Sequence, residues 1–283
     1  MPNIRRIGAH LSTSGGVEKA VERAHGIGAN TLQVFSGSPR MWRRTPLEKI
    51  DARAVKQAQE KYDVTPIFTH ALYLVNLASE NPELVEKSVS ALKHDLQFDA
   101  HIGGAGVVVH LGSHQGRGFA AARESVARSI KDILADTPKN SHLLIENAAA
   151  HNGKVGGQLE EIAWILAKVH SPRLGWCFDT CHAFAAGYTL AGINQQTDAL
   201  TVIKKLNLFP ALKCIHINDS KDALNSGRDR HANIGDGEIP RADLKQFLHD
   251  QRLTLLPIIT EVPGIDGNGP DAENIRRIKS LVK

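Results

Sequence analysis

Histidine and acidic residues follow a series of short apolar runs, and they are densest near the middle of the chain. One apolar run ends at Asp179, and His182 follows three residues later. The next run ends at His216, and the loop after it carries Asp229 and His231. Imidazole nitrogens and carboxylate oxygens are ligands that divalent zinc and manganese bind in proteins. The spacing therefore predicts a metal-dependent enzyme.

Residues of these types also end most of the other apolar runs. A single histidine at a strand end is more often a hydrogen-bonded structural residue, so the prediction depends on the whole set. The nine candidate metal ligands are His70, His110, Glu146, Asp179, His182, His216, Asp229, His231 and Glu261. Nine ligands exceed the roughly four that one zinc ion takes, so we expect two or three ions and at least one shared carboxylate. A metal pair about 3.5–4 Å apart is a common device for hydrolysing phosphodiesters.

Eight short apolar runs must position these side chains, and each has the length of a buried strand. They span residues 7–10, 31–35, 66–70, 106–110, 142–146, 174–179, 213–216 and 255–261, and their last residues are 25 to 45 positions apart. Helical patterns lie between them, at 17–25, 82–100, 159–169 and 240–249. Alternation of strands and helices predicts a parallel sheet.

The polar residues at the ends of the runs favour a closed sheet over an open one. A doubly wound open sheet would spread its strand ends along a line, whereas a barrel brings them to one mouth. We therefore expect an α/β protein with the (β/α)8 TIM-barrel fold. A single domain would span residues 1–283, with the metal site at the C-terminal mouth of the barrel.

Composition agrees with a cytoplasmic enzyme. The 283 residues are 42% hydrophobic but only 5% aromatic, which suits a barrel core built from Ala, Val, Leu and Ile. Three cysteines without disulfide spacing indicate a reducing compartment. Residues 1–6 are charged and lack an apolar signal core, and no segment is apolar enough to span a membrane. We expect a monomer that has no contact with membranes.

Several segments resemble the endonuclease IV family of apurinic/apyrimidinic endonucleases. Residues 175–182, GWCFDTCH, resemble one family signature, and residues 216–221, HINDSK, followed by the DRH of residues 229–231, resemble a second. The segments HLGS at 110–113 and YLVNL at 73–77 are similar to further family segments. The resemblance runs from about residue 7 to residue 275.

The resemblance implies a zinc-dependent DNA-repair endonuclease that hydrolyses the phosphodiester 5′ to an abasic site in duplex DNA. Such an enzyme leaves 3′-hydroxyl and 5′-deoxyribose phosphate ends, and we expect it also to trim blocked 3′ ends. The implied cofactor is three Zn²⁺ ions, with Mn²⁺ in part of the sites. By the resemblance, the ligand sets are His70, His110 and Glu146; Glu146 again with Asp179, His216 and Glu261; and His182, Asp229 and His231. Glu261 and Glu146 are the implied catalytic residues.

Residues that contact DNA are less sharply defined. By the resemblance, Arg40, Tyr73 and Leu74 fill the gap that an extruded abasic nucleotide leaves in the duplex. Arg40, Arg43 and Arg44 follow the second run, and three arginines there suit phosphates. The alternative for the arginines is a solvated surface, and for Tyr73 and Leu74 it is ordinary packing between barrel and helix.

Two other functions compete with the nuclease. A sugar isomerase or epimerase on a related barrel also uses Glu, Asp and His at strand ends. It needs fewer metal ions, however, and has no use for the basic segment from Arg40 to Arg44. A non-catalytic DNA-binding protein would leave the metal ligands unexplained. Cys177 and Cys214 lie inside apolar runs and are expected to be buried hydrophobes. Cys181 lies between two ligands, and we expect it not to be one itself.

Overall fold

Eight parallel strands close into a barrel in the computed structural model, which describes residues 5–192, 194 and 196–283. The barrel strands are β1 (Ile7–His10), β2 (Thr31–Phe35), β3 (Ile67–His70), β4 (Val107–Val109), β5 (Leu143–Glu146), β6 (Leu174–Asp179), β7 (Leu212–His216) and β10 (Ile258–Thr260). Neighbours in the chain pair with one another, and β10 pairs with both β7 and β1. The predicted closed barrel is confirmed, and the open sheet is wrong.

Helices connect the strands and cover the outside of the barrel. They are α1 (Val17–Gly26), α2 (Ala52–Tyr62), α3 (Pro82–His101), α4 (Phe119–Ala135), α5 (Leu159–Val169), α6 (Thr180–Ala185), α7 (Ala199–Lys205), α8 (Arg241–Leu248) and α9 (Ala272–Leu281), with 3-10 turns at Leu47–Lys49 and Phe209–Ala211. Helix α3 begins where the sequence predicts, because Asn81 Oδ1 accepts hydrogen bonds from the Glu83 and Leu84 backbone N–H groups and Pro82 occupies the first turn. The four predicted helices are confirmed to within one residue at each end.

Four strands are shorter than the sequence predicts, two of them by a single residue. The apolar run 255–261 forms a strand only from Ile258 to Thr260. Pro257 has no N–H to donate to a neighbouring strand, and the Glu261 N–H donates to Asn218 Oδ1 at 2.8 Å instead. The run 106–110 likewise contributes only Val107–Val109. His110 and Glu261 therefore lie one residue beyond their strands, at the mouth.

The barrel interior is filled in layers, and one layer supports the site. Side chains along a strand point alternately into the barrel and out towards the helices. An apolar layer inside the barrel consists of Phe68, Val108, Leu144, Cys177, Cys214 and Ile259. Two residues further along the same strands come His70, His110, Glu146, Asp179, His216 and Glu261. These six side chains must therefore point the same way, into the mouth, and the predicted burial of Cys177 and Cys214 is confirmed.

A short hairpin that the sequence did not predict lies over the mouth. Strand β8 (Asp219–Ser220) pairs antiparallel with β9 (His231–Ala232). The Asp219 carboxylate accepts hydrogen bonds from the backbone N–H groups of Gly235, Gly237 and Ile239, which fixes the segment that leaves the hairpin. The hairpin carries the segment with Asp229 and His231 back over the barrel.

Six residues of the chain, 1–4, 193 and 195, lie outside the part that the structure describes. The predicted domain of residues 1–283 includes residues 1–4, 193 and 195, and the charged segment 1–6 includes residues 1–4. Within the described residues, none of the helices combines the length and the apolar character needed to cross a lipid bilayer.

Candidate metal centre

The nine predicted ligands come together at the mouth in three adjoining groups. Within each group, the possible ligand atoms lie within 4.8 Å of one another. The groups are His70, His110 and Glu146; Glu146, Asp179, His216 and Glu261; and His182, Asp229 and His231. The structure therefore assembles the same three sets that the resemblance implies, although they are far apart along the chain.

Glu146 joins the first two groups because its two carboxylate oxygens face different histidines. Its Oε2 lies 3.2 Å from His70 Nε2 and 3.1 Å from His110 Nε2. Its Oε1 lies 2.9 Å from His216 Nδ1. A carboxylate placed in this way can contribute one oxygen to each of two neighbouring cations.

Two of the histidine rings are oriented by hydrogen bonds from Nδ1 to backbone carbonyl oxygens. His70 Nδ1 donates to Ala71 O at 2.7 Å, and His182 Nδ1 donates to Asn147 O at 3.0 Å. A carbonyl oxygen can only accept, so these nitrogens carry a proton, and Nε2 of each ring is left to face the carboxylates of the cluster. Fixing the tautomer through an outer hydrogen bond is the usual arrangement for histidines that bind metal ions.

The third group, His182, Asp229 and His231, has donor atoms suited to a cation. His182 Nε2 and His231 Nε2 are buried, and neither makes a hydrogen bond of normal geometry within the described part of the chain. Both nitrogens lie close to the Asp229 carboxylate, at 2.9 Å and 3.5 Å from its Oδ1. Two unpartnered imidazole nitrogens converging on one carboxylate oxygen are the donor set expected for zinc. The residues present therefore fit a metal ion.

The electrostatics of the cluster favour ionisation of Glu146 and Glu261, whereas burial raises the pKa of Asp179. Burial alone would raise the pKa of Glu146, but His110 and His216 hold it well below its ordinary value. Burial likewise opposes ionisation of Glu261, and His216 together with a hydrogen bond from His10 lowers its pKa well below the ordinary value. Burial lowers the pKa of His110 to about 4, so its imidazole is neutral at pH 7. Anionic carboxylates and a neutral imidazole are the forms that bind a cation.

Two amide side chains that the sequence interpretation missed hold the ligands in place. Gln33 on β2 donates from Nε2 to Glu261 Oε1 at 2.6 Å and accepts at Oε1 from His216 Nε2 at 2.9 Å. Asn218 donates from Nδ2 to Asp179 Oδ2 at 2.6 Å. The signal for Gln33 was a polar residue in the middle of the run TLQVF, at the inward-pointing position of that strand. It was overlooked because the run itself ends on an apolar residue, Phe35.

The Cys181 thiol lies close to the cluster but belongs to none of the three groups. Its sulfur is near enough to Asp179 and His231 to form a fourth possible set. Burial raises the pKa of this thiol to about 12, so it is protonated at pH 7. Only the thiolate is a good metal ligand, and the expectation that Cys181 is not a ligand stays a prediction.

A cavity of about 470 Å³ opens above the cluster, and apolar side chains stand at its edge. Its lining includes His10, Phe35, Tyr73 and Glu261. Tyr73 is 62% exposed and Leu74 is 37% exposed, so neither residue is fully packed between barrel and helix. Exposed apolar side chains beside a charged cavity form a candidate binding surface.

The arginines after β2 have different environments. Arg40 and Arg43 are exposed. The side chain of Arg44 is only 9% exposed, and its guanidinium lies 3.2 Å from the buried Asp95 carboxylate. The expectation that all three arginines are free to bind phosphate is therefore corrected for Arg44, whose charge is already paired inside the protein. Nearby, Trp42 packs against the core, and Met41 is 56% exposed.

Comparison with known proteins agrees with the geometry. The model of the xylose isomerase-like TIM barrel family matches residues 21–281. The probable endonuclease 4 of Halothermothrix orenii is 35% identical over 275 residues, which cover 97% of this chain and 99% of the relative. The chain belongs to the endonuclease IV family. The crystal structure of endonuclease IV from Thermus thermophilus superimposes with a TM-score of 0.85 at 37% identity, covering 98% of both chains.

Sugar-converting enzymes share the fold but are less similar to this chain in sequence. The crystal structure of a D-tagatose 3-epimerase-like protein superimposes with a TM-score of 0.72 at 18% identity, covering 98% of this chain and 97% of the other. A likeness at this identity shows the barrel architecture alone. It therefore lends no support to the isomerase alternative.

Proposed function

We propose that this protein is a zinc-dependent DNA-repair endonuclease that hydrolyses the phosphodiester 5′ to an abasic site. The observation that carries the proposal is the convergence of nine ligand residues in three adjoining groups around one open cavity. Sharing of Glu146 between two groups suits a pair of cations about 3.5–4 Å apart, which is the usual arrangement for phosphodiester hydrolysis. Membership of the endonuclease IV family supports the same reaction.

Three zinc ions, one per group, are the proposed cofactors, with manganese as a substitute in part of the sites. His70, His110 and Glu146 would hold one ion, and Glu146, Asp179, His216 and Glu261 a second. His182, Asp229 and His231 would hold the third. When bound, such ions lower the pKa of water and stabilise negative charge that develops on phosphate oxygens.

The protein residues would orient the reaction. Glu261 lines the cavity, and its carboxylate is held by Gln33 and by His10 Nδ1 at 3.0 Å. In this position Glu261 can orient the attacking water and accept its proton. As the water oxygen bonds to phosphorus, the bond from phosphorus to the 3′ oxygen of the preceding nucleotide breaks. That oxygen takes up a proton, which leaves a 3′-hydroxyl and a 5′-deoxyribose phosphate.

Recognition of the lesion is assigned to the exposed residues at the cavity edge. A missing base leaves a hole in the stack, and extruding the abasic nucleotide costs less than extruding an intact one. Tyr73 and Leu74 present apolar surface suited to that hole. Arg40 adds a positive charge that can reach the phosphate backbone.

Incision of a defined duplex tests the proposed reaction. Purified protein is incubated with a duplex that contains one tetrahydrofuran abasic mimic, and the new ends are identified by mass spectrometry. We expect a 3′-hydroxyl and a 5′-phosphorylated tetrahydrofuran. An unsaturated aldehydic 3′ end on a natural abasic site would indicate a lyase instead. Turnover of free sugars without incision would favour the isomerase.

Elemental analysis tests the three-ion assignment separately. We expect about three zinc or manganese ions per chain, and His231→Ala should lose one of them because it opens the third group. His249→Ala is the matched control, since His249 lies beyond α8 and hydrogen-bonds to Leu281 O. One ion or none in the parent protein would contradict the trinuclear assignment.

A further inference from the structure

The loop after β2, residues 36–45, is closed at its base by a buried carboxylate of helix α3. We name this segment the arginine loop. Ser36 and Arg44 lie near its two ends, and both contact Asp95. The Ser36 hydroxyl donates to Asp95 Oδ1 at 2.5 Å, and Arg44 Nη2 donates to the same oxygen at 3.2 Å. Asp95 is fully buried, and a buried charge that loses its partner is strongly unfavourable. The loop ends are therefore held together.

Arg44 also hydrogen-bonds to the backbone of the loop between its two ends. Its Nη1 donates to Ser38 O at 3.4 Å and to Met41 O at 3.5 Å. These two carbonyl groups lie on either side of Arg40 in the chain. A planar guanidinium with several donors can hold the carboxylate and the loop backbone at once, which lysine could not do. Arg44 thus contacts the loop backbone on both sides of the exposed Arg40.

The same loop supports Tyr73, which belongs to the next loop of the barrel. The Tyr73 backbone N–H donates to Pro39 O at 3.0 Å. The Tyr73 ring also contacts Phe35, at the end of β2, with ring centroids 5.4 Å apart and the planes at 84°. Arg40 and Tyr73 are therefore parts of one connected surface, and a shift of the arginine loop would move both.

We propose that Arg44 and Asp95 are positioning residues for DNA binding. Their ion pair holds the arginine loop in the shape that presents Arg40 and Tyr73 together beside the metal centre. The inference rests on the proposed function, because it assumes that these two residues contact abasic DNA. If the loop is already ordered in the free protein, DNA binding carries no further entropic cost of ordering it. The ion pair therefore improves DNA affinity without contacting DNA itself.

Asp95→Asn is a test in which two explanations predict opposite changes in DNA affinity. Removing a negative charge should by itself strengthen binding to the DNA polyanion. Loss of the anchor should weaken it, because the loop side chains must then be ordered when DNA binds, and we expect the dissociation constant for a tetrahydrofuran-containing duplex to rise about tenfold. Metal content and kcat at saturating DNA should stay at the parental values. Equal or tighter binding by a folded Asp95→Asn protein would overturn the proposal.

A double-mutant cycle then asks whether Arg44 acts through Arg40. Affinity is measured for Arg40→Ala, Arg44→Met and the combined variant, with thermal unfolding as a check on folding. If Arg44 only positions Arg40 and Tyr73, the combined loss should be smaller than the product of the two single losses. Losses that multiply would mean that Arg44 contributes independently, and the proposal would fail.

Arg43→Met is the matched control for charge. Arg43 is exposed on the same loop, so its replacement removes one positive charge without touching the anchor, and its loss should multiply with that of Arg40→Ala. Coupling as strong as that of Arg44 would show an effect of charge and overturn the proposal. If Arg40→Ala alone binds abasic DNA as the parent does, the assigned DNA surface is wrong. If it weakens binding while Asp95→Asn does not, only the positioning role is wrong.

Discussion

Replacing Gln33 by leucine should weaken zinc binding without changing any proposed ligand. Gln33 is fully buried and bridges two candidate ligands, since it donates to Glu261 at 2.6 Å and accepts from His216 at 2.9 Å. The hydrogen bond from His216 Nε2 leaves Nδ1 to face Glu146 and Glu261. Leucine has a similar volume but can neither orient this ring nor hold the Glu261 carboxylate.

The size of the effect follows from these contacts. Loss of outer hydrogen bonds to metal ligands typically lowers metal affinity about 10- to 100-fold, and two ligands of the second group are affected here. The buried His216 N–H would also be left without a partner, which costs about 1–3 kcal/mol in stability. We therefore expect a moderate loss of thermal stability and a selective loss of the ion of the second group.

Competition with a chelator of known zinc affinity measures this effect directly. The matched control is Asn274→Leu, because Asn274 on α9 is another fully buried amide, and its hydrogen bonds to Asn233 and Asp271 involve none of the nine candidate ligands. It should lose stability but keep the parental zinc affinity. Parental zinc affinity in Gln33→Leu would refute the reasoning, as would equal losses of zinc affinity in both variants.

Two further predictions concern catalysis and pH. Glu261→Gln should lower kcat at least about 100-fold while abasic DNA is still bound, because a general base or electrostatic group acts mainly in the transition state. Single-turnover cleavage with an affinity titration checks this, and near-parental cleavage with zinc retained would exclude Glu261 from the mechanism. Burial raises the pKa of Asp99 to about 6, so its contribution to stability is full below its unfolded pKa of about 4 and is lost as pH rises through 6. Thermal unfolding from pH 4 to 7 should show this loss in the parent and not in Asp99→Asn, and parallel curves would contradict it.

The fold and the candidate ligands at the ends of strands could be predicted because both depend on patterns that are local in the chain. Apolar runs of strand length, separated by helical patterns, indicate alternating strands and helices wherever they occur. Since parallel strands in a barrel end at one mouth, a residue such as Asp179 at the end of its run could be placed in the site before any distance was known. His216 and Glu146 could be placed in the same way.

Only the tertiary structure decided which residues act together across that mouth. The sequence contains Gln33, but nothing near it in the chain shows that it bridges His216 and Glu261 from other strands. Arg44 resembles its neighbours Arg40 and Arg43 in sequence, yet it alone of the three pairs with Asp95, because α3 brings that carboxylate under the loop. Side chains of one type thus differ in role through burial and through partners that lie 50 or more residues away. Such contacts depend on packing between elements, which local patterns do not specify.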